Sequence, residues 1–174
     1  MLRLVGANDT AVLDGGIGAW KAANLPLQST VVGRSPTAPA VDFVPGEIIY
    51  NVQLYLLREE PDTLVLDARA AARFRGEVEP IDTVAGHIPG ARNRPVADNL
   101  QPDGRFKPAQ TLRAEFAALL GAHAPNSVIH SCGSGVNACQ NLLAMEHAGL
   151  TGSRIYAPSW SGWIADPRNP IERG

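Results

Sequence analysis

Cysteine is scarce in this chain: two residues in 174, Cys132 and Cys139. They lie seven positions apart in a stretch with helical spacing, so their backbones are about 10 Å apart at the helical rise. A disulfide cannot bridge that separation without unwinding the helix, which excludes a disulfide-stapled fold. Four histidines are present, but no Cys/His pair has ligand spacing matched by a second pair, so a zinc-type centre is not expected. No cofactor is expected either. Long apolar runs are missing, which argues against a helical membrane span, and residues 1–30 lack the basic-then-apolar pattern of a secretory signal. A reducing cytoplasm is the expected setting. Charge of one sign is also lacking, with 15 Lys and Arg against 17 Asp and Glu and a net charge of −2. Such a balance gives no electrostatic footprint for nucleic acid.

Hydrophobic residues make up 45% of the chain, enough at this length for one sizeable core. The chemistry concentrates at Cys132-Gly133-Ser134-Gly135-Val136-Asn137. Residues 127–130 read as a short buried strand before it. Residues 136–150 carry Val136, Cys139, Leu142, Leu143 and Met145 at helical spacing after it. The thiol therefore sits in a strand-to-helix turn. Two glycines let the backbone curl with its N–H groups pointing at the sulfur, and the positive end of the following helix favours negative charge there. A Gly-Ser-Gly turn packs poorly, so it makes most sense where backbone amides approach an anion. Cys139 reads as a core residue.

The remaining pattern alternates strand and helix. Residues 51–58 suggest a short helix with Val52, Leu54, Tyr55 and Leu56 partly buried, and residues 63–66 an inner strand. Further strands are expected near 92–96 and 154–156. Residues 111–121 suggest a helix capped by Thr111 and ended by Gly121. This order specifies an α/β fold, a parallel sheet with helices on both faces, whose ligands bind beyond the carboxyl ends of strands, where Cys132 falls. An internal repeat is also visible. Val12-Leu13-Asp14-Gly15-Gly16-Ile17-Gly18-Ala19-Trp20 with Pro26 parallels Ile155-Tyr156-Ala157-Pro158-Ser159-Trp160-Ser161-Gly162-Trp163 with Pro170, each a strand, a small-residue turn, a tryptophan and a stopping proline.

In order and approximate spacing, Leu66-Asp67-Ala68-Arg69, Arg73-Phe74-Arg75-Gly76, Gly86-His87-Ile88-Pro89-Gly90-Ala91, the Cys132 loop and the segment 156–163 resemble the two-domain rhodanese-like sulfurtransferases. The similarity is closest to the branch related to 3-mercaptopyruvate sulfurtransferase, and it covers nearly all of residues 45–170. The resemblance implies a rhodanese-like fold and transfer of a sulfane sulfur from an anionic donor, mercaptopyruvate or thiosulfate, through a Cys132 persulfide to cyanide or a thiol. It also implies that Ser134 assists the donor, that Arg73 grips it, and that Gly133, Gly135, Val136 and Asn137 cradle it. Arg69 reads instead as an ion-pair partner of Asp67, and Arg75 as solvated. The mercaptopyruvate branch carries a second arginine some nine residues beyond Arg73, where this chain has Ile81-Asp82-Thr83. Asn137, Pro158 and Gly162 are further departures from the family pattern.

By the same resemblance, residues 1–33 are expected to be the tail of an N-terminal rhodanese-like domain whose body is missing. Residues 34–43 are then a Pro-containing linker, and 44–174 the catalytic domain. Partners are expected to be the donor, the acceptor and that first domain, with no nucleic acid and no membrane. Other classes fit less well. A Cys-x5-Arg phosphatase would need arginine at Ala138, and a disulfide oxidoreductase needs a resolving cysteine. A non-catalytic rhodanese-like binding module is the remaining alternative. His130, two residues before Cys132, is a candidate acid-base group, and His87 a turn-locking hydrogen bonder.

Overall fold

A computed structural model describes residues 2–7, 9–30, 33 and 46–174. The expected linker, 34–43, lies outside the described residues. The chain forms two compact units, one of Met1–Pro45 with Leu100–Phe106, the other of Gly46–Asn99 with Lys107–Gly174.

In the first unit the helix α1 spans Gly16–Ala22. It starts at Gly15, held at φ 79°, where a Cβ would fall 2.6 Å from that of Ala19. Asp14 accepts the backbone N–H of Phe106 at 2.9 Å. The strand expected at Val12-Leu13 does not form, as residues 10–13 have no regular structure.

The second unit is built on a five-stranded parallel sheet in the order β1-β5-β4-β2-β3. Its strands are β1 (Ile48–Ile49), β2 (Leu64–Asp67), β3 (Arg92–Asn93), β4 (Val128–Ser131) and β5 (Arg154–Tyr156). Interleaved with them are α2 (Asn51–Leu57), α3 (Ala71–Phe74), α4 (Ala109–Leu120), α5 (Val136–His147) and α6 (Ser159–Trp163). Strands β2 and β4 are buried along their whole length, which explains why each opens on apolar residues, Leu64-Val65-Leu66 and Val128-Ile129, as inner parallel strands are covered on both faces. The chain runs outward from β2 to β3 and then returns to β4 and β5 on the other side. The β2–β4 boundary is therefore where the winding reverses, and the loops leaving these two strands share the crevice in which open parallel sheets bind ligands.

Several expectations need correction. In α2 only Leu54 is buried, while Val52, Tyr55 and Leu56 are exposed. Seven residues of helix turn one stripe inward, and here that stripe is Leu54 with the partly buried Leu57 beside it. Helix α4 begins at Ala109 with Pro108 at its cap and no side-chain cap bond, so Thr111 lies inside the first turn rather than at the cap. The proline fixes the extended cap backbone that the threonine was expected to supply. Gly121, at φ 61°, ends the helix as expected. The buried face of α5 is Ala138, Asn141, Ala144 and Met145, while Val136 is exposed. Asn141 is buried because its amide is satisfied, accepting from Asn99 at 2.6 Å and donating to the Arg94 carbonyl at 2.9 Å.

Candidate active site

Cys132 leaves the carboxyl end of β4 and is almost completely buried, 3% exposed, against Ala68 and Ala138. Its Sγ accepts the Gly135 N–H at 3.1 Å. An N–H aimed at the sulfur stabilises negative charge on it. Gly135 can do this only as glycine: its φ is 87°, and a Cβ there would sit 2.6 Å from the Ala157 carbonyl oxygen. Of the amides expected to face the sulfur, Gly135 supplies the hydrogen bond. Ser134, Val136 and Asn137 are exposed around the loop, and Gly133 is half-buried.

The closing segment after β5 clamps the loop from its other side. The Trp160 and Ser161 N–H groups donate to the carbonyls of Cys132 and Gly133, each at 3.0 Å. Ser159 Oγ accepts the Cys132 N–H at 3.1 Å and donates to the Tyr156 carbonyl at 3.0 Å. Ser159 holds φ at 53°, a conformation that costs a non-glycine residue about 1–2 kcal/mol. Its two hydrogen bonds hold it there. No sequence pattern announces this serine as a loop anchor. Pro158 and Gly162, the two departures in this segment, fit one another: a Cβ on Gly162 would lie 2.2 Å from the Pro158 Cβ. The wall remains closed, with Trp160 and Trp163 fully buried.

The loop after β2 brings a dense charge network. Arg69 is buried, bonded to the Asp67 carboxylate at 2.8–3.1 Å and to the Gly86 carbonyl at 2.8 Å, with its guanidinium 4.9 Å from the centre of the Trp160 ring. This is the structural ion pair expected for Arg69, and removing one partner of such a buried pair costs about 3–5 kcal/mol. Arg73, 17% exposed, gives its Nε and Nη2 to Glu79 at 2.6–3.2 Å and Nη2 also to Asp82 at 3.2 Å. Its Nη1 and Nη2 both lie 3.7 Å from the point where a Gly133 Cβ would stand, so that edge of the guanidinium faces the Cys132 loop. Burial pushes the Glu79 carboxyl up, but the Arg73 hydrogen bond and charge and the N–H groups of Asp82 and Ile81 outweigh it and hold the carboxyl below the usual glutamate range. Glu79 stands in no motif, and Ser161, though part of the closing segment, carries no role in the sequence reading. Arg75 pairs at the surface with Glu77.

His87 locks its turn, with Nδ1 2.7 Å from the Phe74 carbonyl and its ring stacked on Phe74 at 3.8 Å. His130 is fully buried, its Nε2 3.2 Å from Ser153 Oγ and its Nδ1 without a hydrogen bond among the described residues. Burial pushes its pKa down to about 3, so it is neutral at pH 7. The unfolded chain takes up this proton near pH 6.5 and the folded one only near 3. Stability contributed here is thus present above about pH 6.5 and is lost as pH falls toward 3. In urea titrations between pH 6.5 and 4.5, His130→Asn should reduce the pH slope of stability by about one proton; an unchanged slope would contradict the burial of a neutral ring.

A sequence model of the rhodanese-like domain matches residues 51–166. The chain belongs to the rhodanese-like family. Curated rhodanese-like relatives include a probable 3-mercaptopyruvate sulfurtransferase of Pseudomonas aeruginosa, 47% identical over the whole chain and 62% of that protein. A putative thiosulfate sulfurtransferase of Mycobacterium tuberculosis is 34% identical over the whole chain and 61% of that protein. The 3-mercaptopyruvate sulfurtransferase of Escherichia coli is also 34% identical, over 99% of this chain and 61% of its own. The chain thus spans about three fifths of the length of these relatives. Among solved structures, the anaerobic ergothioneine biosynthesis enzyme from Chlorobium limicola superposes with a TM-score of 0.86 at 22% identity, over 98% of this chain and 43% of that one. At that identity the likeness concerns the rhodanese-like fold. Among the described residues no helix is long and apolar enough to cross a membrane, and no group of three or more His, Cys, Asp and Glu could hold a metal ion.

Proposed function

We propose that this rhodanese-like domain is a sulfurtransferase that carries sulfur on Cys132. The observation that supports it most is the buried Cys132 Sγ receiving the Gly135 N–H at the carboxyl end of a central strand. The Cys132 thiolate attacks the sulfur of 3-mercaptopyruvate; the carbon–sulfur bond breaks, its electron pair leaves as the pyruvate enolate, and a proton from the medium completes pyruvate. With thiosulfate the leaving group is sulfite. Either way Cys132 holds a persulfide, whose outer sulfur a thiol or cyanide then removes, regenerating the thiolate. The names of the relatives support this class of reaction.

In this reading Arg73 meets the donor anion along its Nη edge, Ser134 donates a hydrogen bond to the departing group from the exposed rim, and the loop from Gly133 to Asn137 cradles the charge. The test is a paired assay, mercaptopyruvate against thiosulfate with cyanide as acceptor. Arg73→Lys removes the planar fork and should raise KM for the donor about tenfold; an unchanged KM for both donors would remove Arg73 from the site. Ser134→Ala should slow mercaptopyruvate turnover more than thiosulfate turnover, and equal effects would count against a mercaptopyruvate enzyme.

Residues 1–33 we read as the closing segment of a first rhodanese-like repeat, residues 34–43 as a linker and 44–174 as the catalytic repeat. Two matching bonds support this: Trp20 Nε1 donates to the Pro26 carbonyl and Trp163 Nε1 to the Pro170 carbonyl, each at 2.9 Å. Adding in trans the part of the Pseudomonas relative that lies outside the match should then raise donor turnover; no gain would count against the reading.

A further inference from the structure

Asp82 places a carboxylate on the guanidinium that the donor is to meet. Its Oδ2 lies 3.2 Å from Arg73 Nη2 and 3.9 Å from the point where a Gly133 Cβ would stand, on the loop side of the pair. Its Oδ1 is 2.6 Å from Ser161 Oγ, which also lies 2.9 Å from the Gly133 carbonyl. The carboxylate is therefore fixed to the Cys132 loop. Arg73 does not need it for neutralisation, because Glu79 already occupies the Nε–Nη2 edge. Arg73, Glu79 and Asp82 together carry one positive and two negative charges. Their side chains are 17%, 4% and 8% exposed, so water screens them weakly.

We propose that Asp82 is a specificity-determining residue of this site, selecting singly charged sulfur donors over doubly charged ones. The inference rests on the sulfurtransferase reading given above. A donor anion reaching the Nη edge either sits beside the Asp82 carboxylate or displaces it from Arg73. A thiosulfate dianion meets that repulsion with both its charges, whereas mercaptopyruvate brings a single carboxylate. Asparagine at this position keeps an oxygen for Ser161 and removes the charge.

The experiment has a turnover arm and a binding arm. In turnover at pH 7, Asp82→Asn should lower KM for thiosulfate about tenfold and for mercaptopyruvate about threefold, with kcat little changed for either. In the binding arm, the Cys132→Ser chain with and without Asp82→Asn is titrated with thiosulfate and with pyruvate by NMR. The same preferential tightening for the dianion is expected there. Should the wild-type chain turn over neither donor, the sulfurtransferase reading fails while the binding arm still decides the role of Asp82. An unchanged ratio of dianion to monoanion affinity overturns the proposal. So does failure of either anion to bind both proteins, or an equal fall in kcat for both donors at constant KM, the signature of a brace. If Asp82→Asn fails to fold, as judged by thermal melting, Asp82→Ser is held to the same outcomes.

Discussion

Cys132→Ser should abolish sulfur transfer from both donors, by at least about ten-thousand-fold, while the domain stays folded. Oxygen in place of sulfur still accepts the Gly135 N–H, which lies 3.1 Å from Sγ in the native loop. The Cys132 backbone bonds to Ser159 Oγ and Trp160 N–H do not involve the side chain. A serine hydroxyl, however, is not ionised at neutral pH and forms no persulfide. The side chain is small and packs only against Ala68, Ala138 and their neighbours, so the loss of stability should stay near about 1 kcal/mol. Cys139 supplies the contrast. Its thiol donates to the Gly135 carbonyl at 3.4 Å, and partial burial pushes the thiol up from its usual value, which works against a nucleophilic thiolate. Cys139→Ala should therefore retain turnover and lose a little stability. Activity in Cys132→Ser, or its loss in Cys139→Ala without unfolding, would reverse the assignment.

Gly135→Ala should be nearly as damaging, and for a different reason. The position combines φ 87° with an Ala157 carbonyl oxygen only 2.6 Å from where the methyl would go. A left-handed backbone and a collision with main-chain oxygen together should cost about 2–4 kcal/mol. Relief requires the loop to move away from the segment after β5, which carries the Gly135 N–H off the sulfur.

 The predicted result is a lowered melting midpoint together with a turnover loss larger than the stability loss explains. A variant as stable and as active as the wild type would mean that the loop does not need this geometry.

How much of this was legible in the sequence depended on how much local pattern each residue carried. Strands β2 and β4 were readable because both faces are buried and each opens on consecutive apolar residues, Leu64-Val65-Leu66 and Val128-Ile129. Strand β1 was not, since its two residues pair with Ile155 and Tyr156 and are too short to show a period. Helix α2 misled because apolar side chains at Val52 and Leu56 point outward, and hydrophobicity alone does not reveal which side of a short helix is covered. At the candidate site, the glycine turn marked Cys132 directly, and Asp67-x-Arg69 announced its ion pair. Ser159 and Ser161 stayed hidden because their roles arise from contacts with the Cys132 loop, far away in the chain, and Glu79 because a loop carboxylate near Arg73 belongs to no periodic pattern. Asp82 was noticed only as the absence of an arginine; its carboxylate acquires meaning through its distance to Arg73.

The central claim is that Cys132 carries the transferred sulfur, and the most direct measurement is the intact mass of the protein after brief exposure to donor without acceptor. The account predicts the mass of one added sulfur atom on the wild-type chain, located on the peptide containing Cys132, removed by cyanide and absent from Cys132→Ser. A chain that transfers sulfur with no added mass, or with the sulfur on the peptide of Cys132→Ser that holds Cys139, would contradict it.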